Sequence, residues 1–481
     1  MKHLSAVGIL LLACGVCAEE TSSAVATNET PSASVTNNAP ETVSIGDEPE
    51  AFPVLFPIDV EPYQVEPVSD ELSSLFDQLD TAGAGATELV REILIRSLSE
   101  TQGRAGTAVL RKWLIQRAES LDWADADAVE QMIALTGCAA SLEAFQDCDI
   151  PAEVWDWLFS SIGRVRLVAQ TITEDDNPCE AARIIRELYA HDPSGRDRFL
   201  NLILALSVVW DTPRKALHHQ IENGWLPPAE DITLYYDYFK QLYSSDKTKV
   251  PYDELSVDSL VFVVDTPTPI RELEWALENV DSSRAMWGRH YDEITYDYTR
   301  LIRQQYDWPH RDYTLQEIEE CFGICVDQAY YCLITARAHG IPSLFFRGIG
   351  KFSGHAWFGF LRKPTEWDMD VGRYSDQGYA VGFAKHPQFD HEMTDHELDY
   401  YSERALRPVK ARKAAALKYL AALLYQEDAP AVALPAARQA RRVDPMSEAA
   451  WEIECDILAD AERYEEAVEL MDQKADRFKF F

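Results

Sequence analysis

Between Cys325 and Asp370 the chain carries a thiol, an imidazole and a carboxylate, in an order that suits nucleophilic catalysis. In "CFGICVDQAYYCLITARAHGIPSLFFRG", from Cys321 to Gly348, Gly323 interrupts one helical pattern and Cys325 opens the next. A thiol at a helix N-terminus meets free backbone N–H groups and the positive end of the dipole, which favour the anion and depress its pKa. The thiolate is the attacking species. His355, in "GHAWFGFL", is placed to take the thiol proton, and a carboxylate from "WDMDV" to hold the imidazole's orientation. Singly, Cys325 reads as a core thiol, His355 as a satisfied strand histidine and Asp370 as an edge carboxylate. Their joint order is what points to catalysis.

The flanking sequence says which elements must position these groups. Thr314 and Glu317 form a capping-box pattern that predicts a short helix from Leu315 to about Cys321. A second helix starts near Cys325, with Val326, Ala329, Tyr330 and Leu333 on one face, and Gly340 followed by Pro342 stops it. "SLFFRG" and "HAWFGFL" read as strands, and "WDMDV" as a third after the turn at "RKPTE". Alternation places His355, Trp357 and Gly359 on one face, and Asp368 with Asp370 on one face of the next strand. A hairpin turning near Pro364 brings Asp370 closer to His355 than Asp368.

Gly323-x-Cys325, the helical "VDQAYYCLITARAHGIP", a strand, Gly354-His355-Ala356-Trp357 and then Trp367 ahead of an Asp together resemble the transglutaminase-like superfamily. The resemblance covers residues 315 to 372 and extends back to about 250. It implies a papain-like core, with Cys325 as nucleophile, His355 as base and then acid, Asp370 as orienting residue, and the Cys325 N–H as an oxyanion donor. The family commonly has its Asp four residues after the Trp. Here Asp370 comes three after Trp367 and is followed by Val371-Gly372, so Asp368 stands as an alternative third member. The implied reaction is thiol-based acyl transfer on a peptide or glutamine-type amide through a thioester, with hydrolysis favoured over amine capture in abundant water. A cell-envelope interaction scaffold with a catalytically silent core is the competing reading. No cofactor and no metal is implied; calcium, used by some relatives, has no matching ligand set here. Trp357, Trp308 and Tyr313 are candidates for lining a substrate cleft.

The fold class expected is α+β: a helix with an N-terminal Cys on an antiparallel sheet, flanked by a helical domain and a helical-repeat tail. "MKHLSAVGILLLACGVCAEE" reads as a secretory signal over residues 1–18, with Leu11-Leu12-Ala13-Cys14 as a possible lipobox that would anchor the chain through Cys14. Residues 19–68 read as a Ser/Thr/Pro-rich disordered tether. From 69 to 225 the apolar spacing is helical, with Asp125 an N-cap and Gly137 a stop. Residues 226–405 form the catalytic-type domain, where "SLVFVVDT" is a β-branched run ended by Pro267. Residues 406–481 contain an offset of 34 residues that aligns Leu417 with Trp451, Leu424 with Leu458 and Ala433 with Ala467, resembling a tetratricopeptide repeat that docks on another domain or binds a protein partner.

With 44 basic against 81 acidic residues the formal charge is −37, which argues against nucleic acid and anionic membrane surfaces as partners. Membrane contact would come only through the lipid. That balance fits an exported, soluble protein acting in the periplasm, outside the cell or on the envelope. Nine cysteines become seven without Cys14 and Cys17, an odd count that leaves a free thiol. Cys138 and Cys148 could bridge a short loop, and Cys321 could pair with Cys325. "KHPQFDHEMTDHELDYY", with His386, His391 and His396, reads as a solvated acidic helix start rather than a metal site.

Overall fold

The computed structural model describes residues 68–479, except 80–84, 174, 214–216, 219, 221–231, 376, 389–391, 396–397, 399–407 and 428. The signal, the Cys14 anchor and the tether up to residue 67 lie outside the described residues. Among those described, no helix is long and apolar enough to cross a membrane.

The architecture is α+β, with many helices and one antiparallel sheet. The helices before the sheet are α1 (Asp70–Leu79), α2 (Ala86–Ser99), α3 (Gly103–Glu119), α4 (Ala126–Phe145), α5 (Ala152–Leu158), α6 (Ile162–Thr171), α7 (Pro178–His191), α8 (Leu200–Val209), α9 (Ile232–Tyr243), α10 (Val257–Val264), α11 (Ile270–Asn279), α12 (His290–Glu293), α13 (Tyr298–Ile302), α14 (Leu315–Cys321) and α15 (Cys325–Ala338). The strands are β1 (Ser343–Gly350), β2 (Gly354–Lys363), β3 (Glu366–Val371), β4 (Ala380–Lys385) and β5 (Glu392–Thr394), ordered β3-β2-β1-β4-β5. The tail adds α16 (Pro408–Gln426), α17 (Pro430–Val443), α18 (Glu448–Asp460) and α19 (Tyr464–Arg477). One apolar core runs without interruption from Leu72 in α1 to Phe478 after α19.

Local signals explain several boundaries. Asp125 caps α4, its carboxylate accepting from the Asp127 and Ala128 N–H groups. Gly137 does not stop that helix, which runs on to Phe145. A glycine inside a helix costs only about 1 kcal/mol against alanine, and Gly137 is buried beside Ala169 of α6, where burial outweighs that cost. The Val-rich run from Val257 to Val264 is helix α10, not a strand. A short apolar run buried on every side has no periodicity to tell the two apart, and α10 lies against α8 as well as α15 and β1. The disulfide joins Cys148 to Cys179. Cys138 points instead into the core of α4 and stays a free thiol, so it is not the partner of Cys148. The acidic segment after Lys385 first contributes strand β5, paired with β4 through Phe383↔Thr394, and Asp395 and Leu398 after it are helical; His391 and His396 lie outside the described residues.

The tail forms two helical hairpins. Leu417, Trp451, Leu424, Leu458, Ala433 and Ala467, the positions matched by the 34-residue offset, are all buried. α16 lies against α4, with Lys413 paired to Glu130 and Tyr419 donating to Glu143, while Arg412 reaches Asp258 of α10 at 2.9 Å.

At the far end of α15, His339 is buried against Trp287 with ring centroids 4.7 Å apart, and its Nε2 donates to the Val280 carbonyl at 2.7 Å. Burial pushes its pKa down to about 3. The unfolded chain, with an ordinary histidine near 6.5, therefore binds this proton first. Stability is full above that value and falls as the pH drops toward 3, by on the order of 4 kcal/mol from this group alone. Urea titrations from pH 7.5 to 4 should show this loss, and His339→Gln, whose amide still reaches Val280, should flatten it. An unchanged slope in the variant would assign the acid sensitivity elsewhere.

Candidate functional site

The site is built where α14 ends and α15 begins. Thr314 caps α14 by accepting from the Glu317 N–H at 3.0 Å. The Glu317 carboxylate does not close the box back onto Thr314; it accepts from the Asp312 N–H at 3.0 Å and the Trp308 indole at 3.3 Å. Phe322, at φ 70°, turns the chain out of the helix, and Gly323 exchanges backbone hydrogen bonds with Thr295 and Asp297. Any Cβ at Gly323 would stand 2.6 Å from that of Asp327, so the close approach requires glycine. Ile324 is extended, and α15 starts at Cys325 as the sequence predicts.

Asp327 fixes this start. Its Oδ2 accepts from the Ile324 N–H at 2.8 Å and from Arg300 Nη1 at 2.7 Å, and its Oδ1 from the Tyr313 hydroxyl and Gln220 Nε2, each at 2.8 Å. Arg300 uses its remaining donors on the carbonyls of Gln305, Tyr306 and Asp307. Both charges are buried, at 0% and 3% exposure, so each depends on the other. Burial pushes the Asp327 carboxyl up while Arg300 opposes the shift. Tyr313 and Trp308, cleft candidates from the sequence, serve this knot instead: Tyr313 is buried on Asp327, and half-buried Trp308 lies beneath Arg300 at 5.4 Å. Trp357 is fully buried as well, stacked on Phe346 at 5.2 Å.

The first-turn N–H groups of Cys325 and Val326, which a helix leaves without intrahelical acceptors, face the Cys325 sulfur, and so does the Ala356 N–H from β2. They favour the thiolate, yet burial of the sulfur outweighs them and the Asp327 charge adds to it. The pKa is therefore raised, not depressed as the helix position alone predicts. Ala356 is the link to His355, its neighbour on the strand. β3 stops pairing at Phe358↔Val371, so the β2 edge is open beyond it. There the Ala356 carbonyl accepts from the Tyr291 hydroxyl at 3.0 Å while its N–H serves the thiol.

His355 Nε2 lies 2.9 Å from the Gly372 carbonyl oxygen. A carbonyl only accepts, so Nε2 carries the proton and Nδ1 keeps a lone pair. Nδ1 is buried and has no hydrogen-bond partner among the described residues. Burial lowers the His355 pKa below its usual value, so the ring is neutral at pH 7. Neither sequence-predicted carboxylate holds it. Asp370 is exposed and accepts from Arg373 Nη1 at 2.9 Å, and Asp368 sits opposite Phe360 and accepts from the Asp370 N–H at 3.3 Å. Register shifts within the β2–β3 pair, then the turn at Gly372 with φ 78°, bring backbone to the imidazole instead of a side chain. A backbone carbonyl has no residue type, so no sequence signal could have named it.

Cys321 and Cys325 are both free thiols. Among the described residues, no cluster of His, Cys, Asp and Glu could hold a metal ion. The thiol and its backbone donors thus meet at Ala356, and the neutral imidazole belongs to the adjacent strand residue. No family model, curated protein or solved structure matches the chain significantly.

Proposed function

We propose that the protein is an exported, transglutaminase-like cysteine enzyme with a papain-like core, transferring acyl groups from peptide or glutamine-type amides, with water favoured over an amine as acceptor. The observation that carries this reading is the buried, unpartnered lone pair on His355 Nδ1. An orphaned buried acceptor is costly, and beside a strand residue that feeds its N–H to a thiol it has a use as a base. At rest thiol and imidazole are both uncharged. As the sulfur attacks the amide carbon, Nδ1 takes the thiol proton, and the N–H groups of Cys325 and Val326 stand ready for the oxyanion. Nδ1 then returns that proton to the leaving amine, giving a thioester. Water, deprotonated at Nδ1, attacks the thioester carbon, and the proton passes back to the departing sulfur. Export through the N-terminal signal, and a protein or peptide substrate, complete the proposal.

A second reading, a catalytically silent envelope scaffold whose helical tail binds a protein, draws on the raised pKa of Cys325 and the engagement of Asp370 with Arg373. Acylation separates the two. p-Nitrophenyl acetate supplies an activated acyl group that needs little specificity. Acid-quenched mass spectrometry should find the acetyl group on Cys325 at least tenfold ahead of Cys321, released by hydroxylamine, with Cys325 labelling lost in His355→Ala. Equal labelling of the two cysteines, unaffected by His355, supports the scaffold.

A further inference from the structure

We propose that Arg373 is the positioning residue for His355, doing through the backbone what an orienting carboxylate would do directly; the catalytic meaning of this rests on the function proposed above. A carbonyl can set the orientation of an imidazole only if its own peptide plane is fixed. The Gly372–Arg373 peptide begins the connection from β3 to β4, on the outer edge of the sheet, beyond the strand ladder; within its turn the N–H donates to the Asp370 carbonyl at 3.1 Å and the carbonyl also accepts from the Ser375 N–H at 3.2 Å.

The guanidinium of Arg373 anchors this turn to the rest of the sheet. Its Nε and Nη2 donate to the Ala380 carbonyl at 3.0 and 2.9 Å, its Nη1 donates to Asp370 Oδ1 at 2.9 Å, and its Nη2 also pairs with Asp395 Oδ2. One side chain thereby ties the end of β3, the start of β4 and the segment just after β5 around the 372–380 connection. Its flat face lies over Trp357, 5.4 Å from the ring centroid, and Trp357 stacks on His355 at 6.0 Å. From below, Gly372 rests on the Tyr291 ring so closely that a Cβ there would fall 2.2 Å from Cζ, and the Tyr291 hydroxyl holds Ala356. The Arg373 carbonyl, like that of Gly372, faces the imidazole. Arg373 and Asp395 are both nearly buried, at 9% and 4% exposure. Buried ion pairs are weak stabilisers compared with apolar packing of similar volume, and their best-supported use is to specify one geometry. The geometry specified here is that of the carbonyl on which Nε2 rests, which leaves Nδ1 as the free base.

The readout is the Nε2–H proton of His355 in uniformly folded, histidine-15N-labelled protein. In the wild type it should be a slowly exchanging imidazole resonance at pH 7, assigned by its absence in His355→Asn, with the His339 proton on Val280 as an internal standard. Arg373→Gln and the milder Asp395→Asn should speed its exchange at least tenfold and leave the His339 proton unchanged, and Arg373→Lys should restore part of the protection. Slow exchange of the His355 proton in either folded variant overturns the proposal. So does loss of the near-ultraviolet circular dichroism in both, because the clamp would then only hold the fold. This result is independent of acyl transfer: a catalytically silent protein would still show the exchange effect if Arg373 positions His355, and an active one would lack it if Arg373 does not.

Discussion

Arg300→Met should be among the most destabilising single substitutions in the chain, lowering the unfolding free energy by about 3–5 kcal/mol. Asp327 is fully buried, and Arg300 is its only charged partner among the described residues. Without it, the carboxylate is left with neutral donors from Ile324, Tyr313 and Gln220. The side chain of methionine replaces much of the volume, so the loss measures charge and hydrogen bonding more than a cavity. Burial already pushes the Asp327 carboxyl upward with Arg300 resisting; removing that resistance raises it further. The sign follows: a carboxyl whose folded pKa exceeds its unfolded value loses stability as pH rises through the folded pKa, so the defect should be smaller at pH 5 than at pH 8. The double variant Arg300→Met/Asp327→Leu should recover a substantial part of the loss, because no unpaired charge remains. Urea denaturation of the three proteins at both pH values measures this; a single variant within 1 kcal/mol of wild type would mean that the pair is not buried in solution.

Alkylation of Cys325 by iodoacetamide should fall about a hundredfold at pH 7 in His355→Ala. With its thiol pKa raised above an ordinary cysteine's by burial, less of Cys325 is thiolate at neutral pH without assistance than of an exposed cysteine. In the wild type the rate should instead rise with deprotonation of His355, whose pKa is lowered from 6.5, and be level from pH 7 to 8. The variant should lose that level stretch and track the thiol alone, climbing past pH 9. Matching profiles in the two proteins would remove His355 from the role of base, whatever the acyl-transfer assays give.

The parts of this arrangement that depend on local chemistry were legible in the sequence. Thr314, Gly323 and Gly340 bracket α14 and α15 because capping and chain-breaking act within a few residues. Strands β1 to β3 followed from alternation and a Pro-containing turn. The unreadable parts depend on contacts far apart in the chain. Arg300 meets Asp327 across 27 residues, Cys148 meets Cys179 across 31, and Arg373 meets Asp395 across 22, and no spacing rule selects those partners. Burial was equally hidden: a helix N-terminus lowers a thiol's pKa, but only the packing of Tyr291, Ala356 and Asp327 around Cys325 reveals that desolvation wins. The third partner of the imidazole escaped because it is a peptide carbonyl, set by register shifts that leave no mark in residue types.

The half-buried, desolvated sulfur of Cys325 has a bearing on how this molecule is made. Cys148 and Cys179 are joined, while Cys325, in the same chain, is a free thiol. Thiol–disulfide exchange proceeds through the thiolate, and its rate follows the fraction of that anion and its accessibility. A desolvated thiol that ionises only above the usual range is a poor competitor for either cysteine of the bridge once α15 has docked on β2. The same desolvation that holds the Cys325 thiol uncharged thereby sorts the thiols during maturation, leaving one pair joined and, on the function proposed, the nucleophile in reserve.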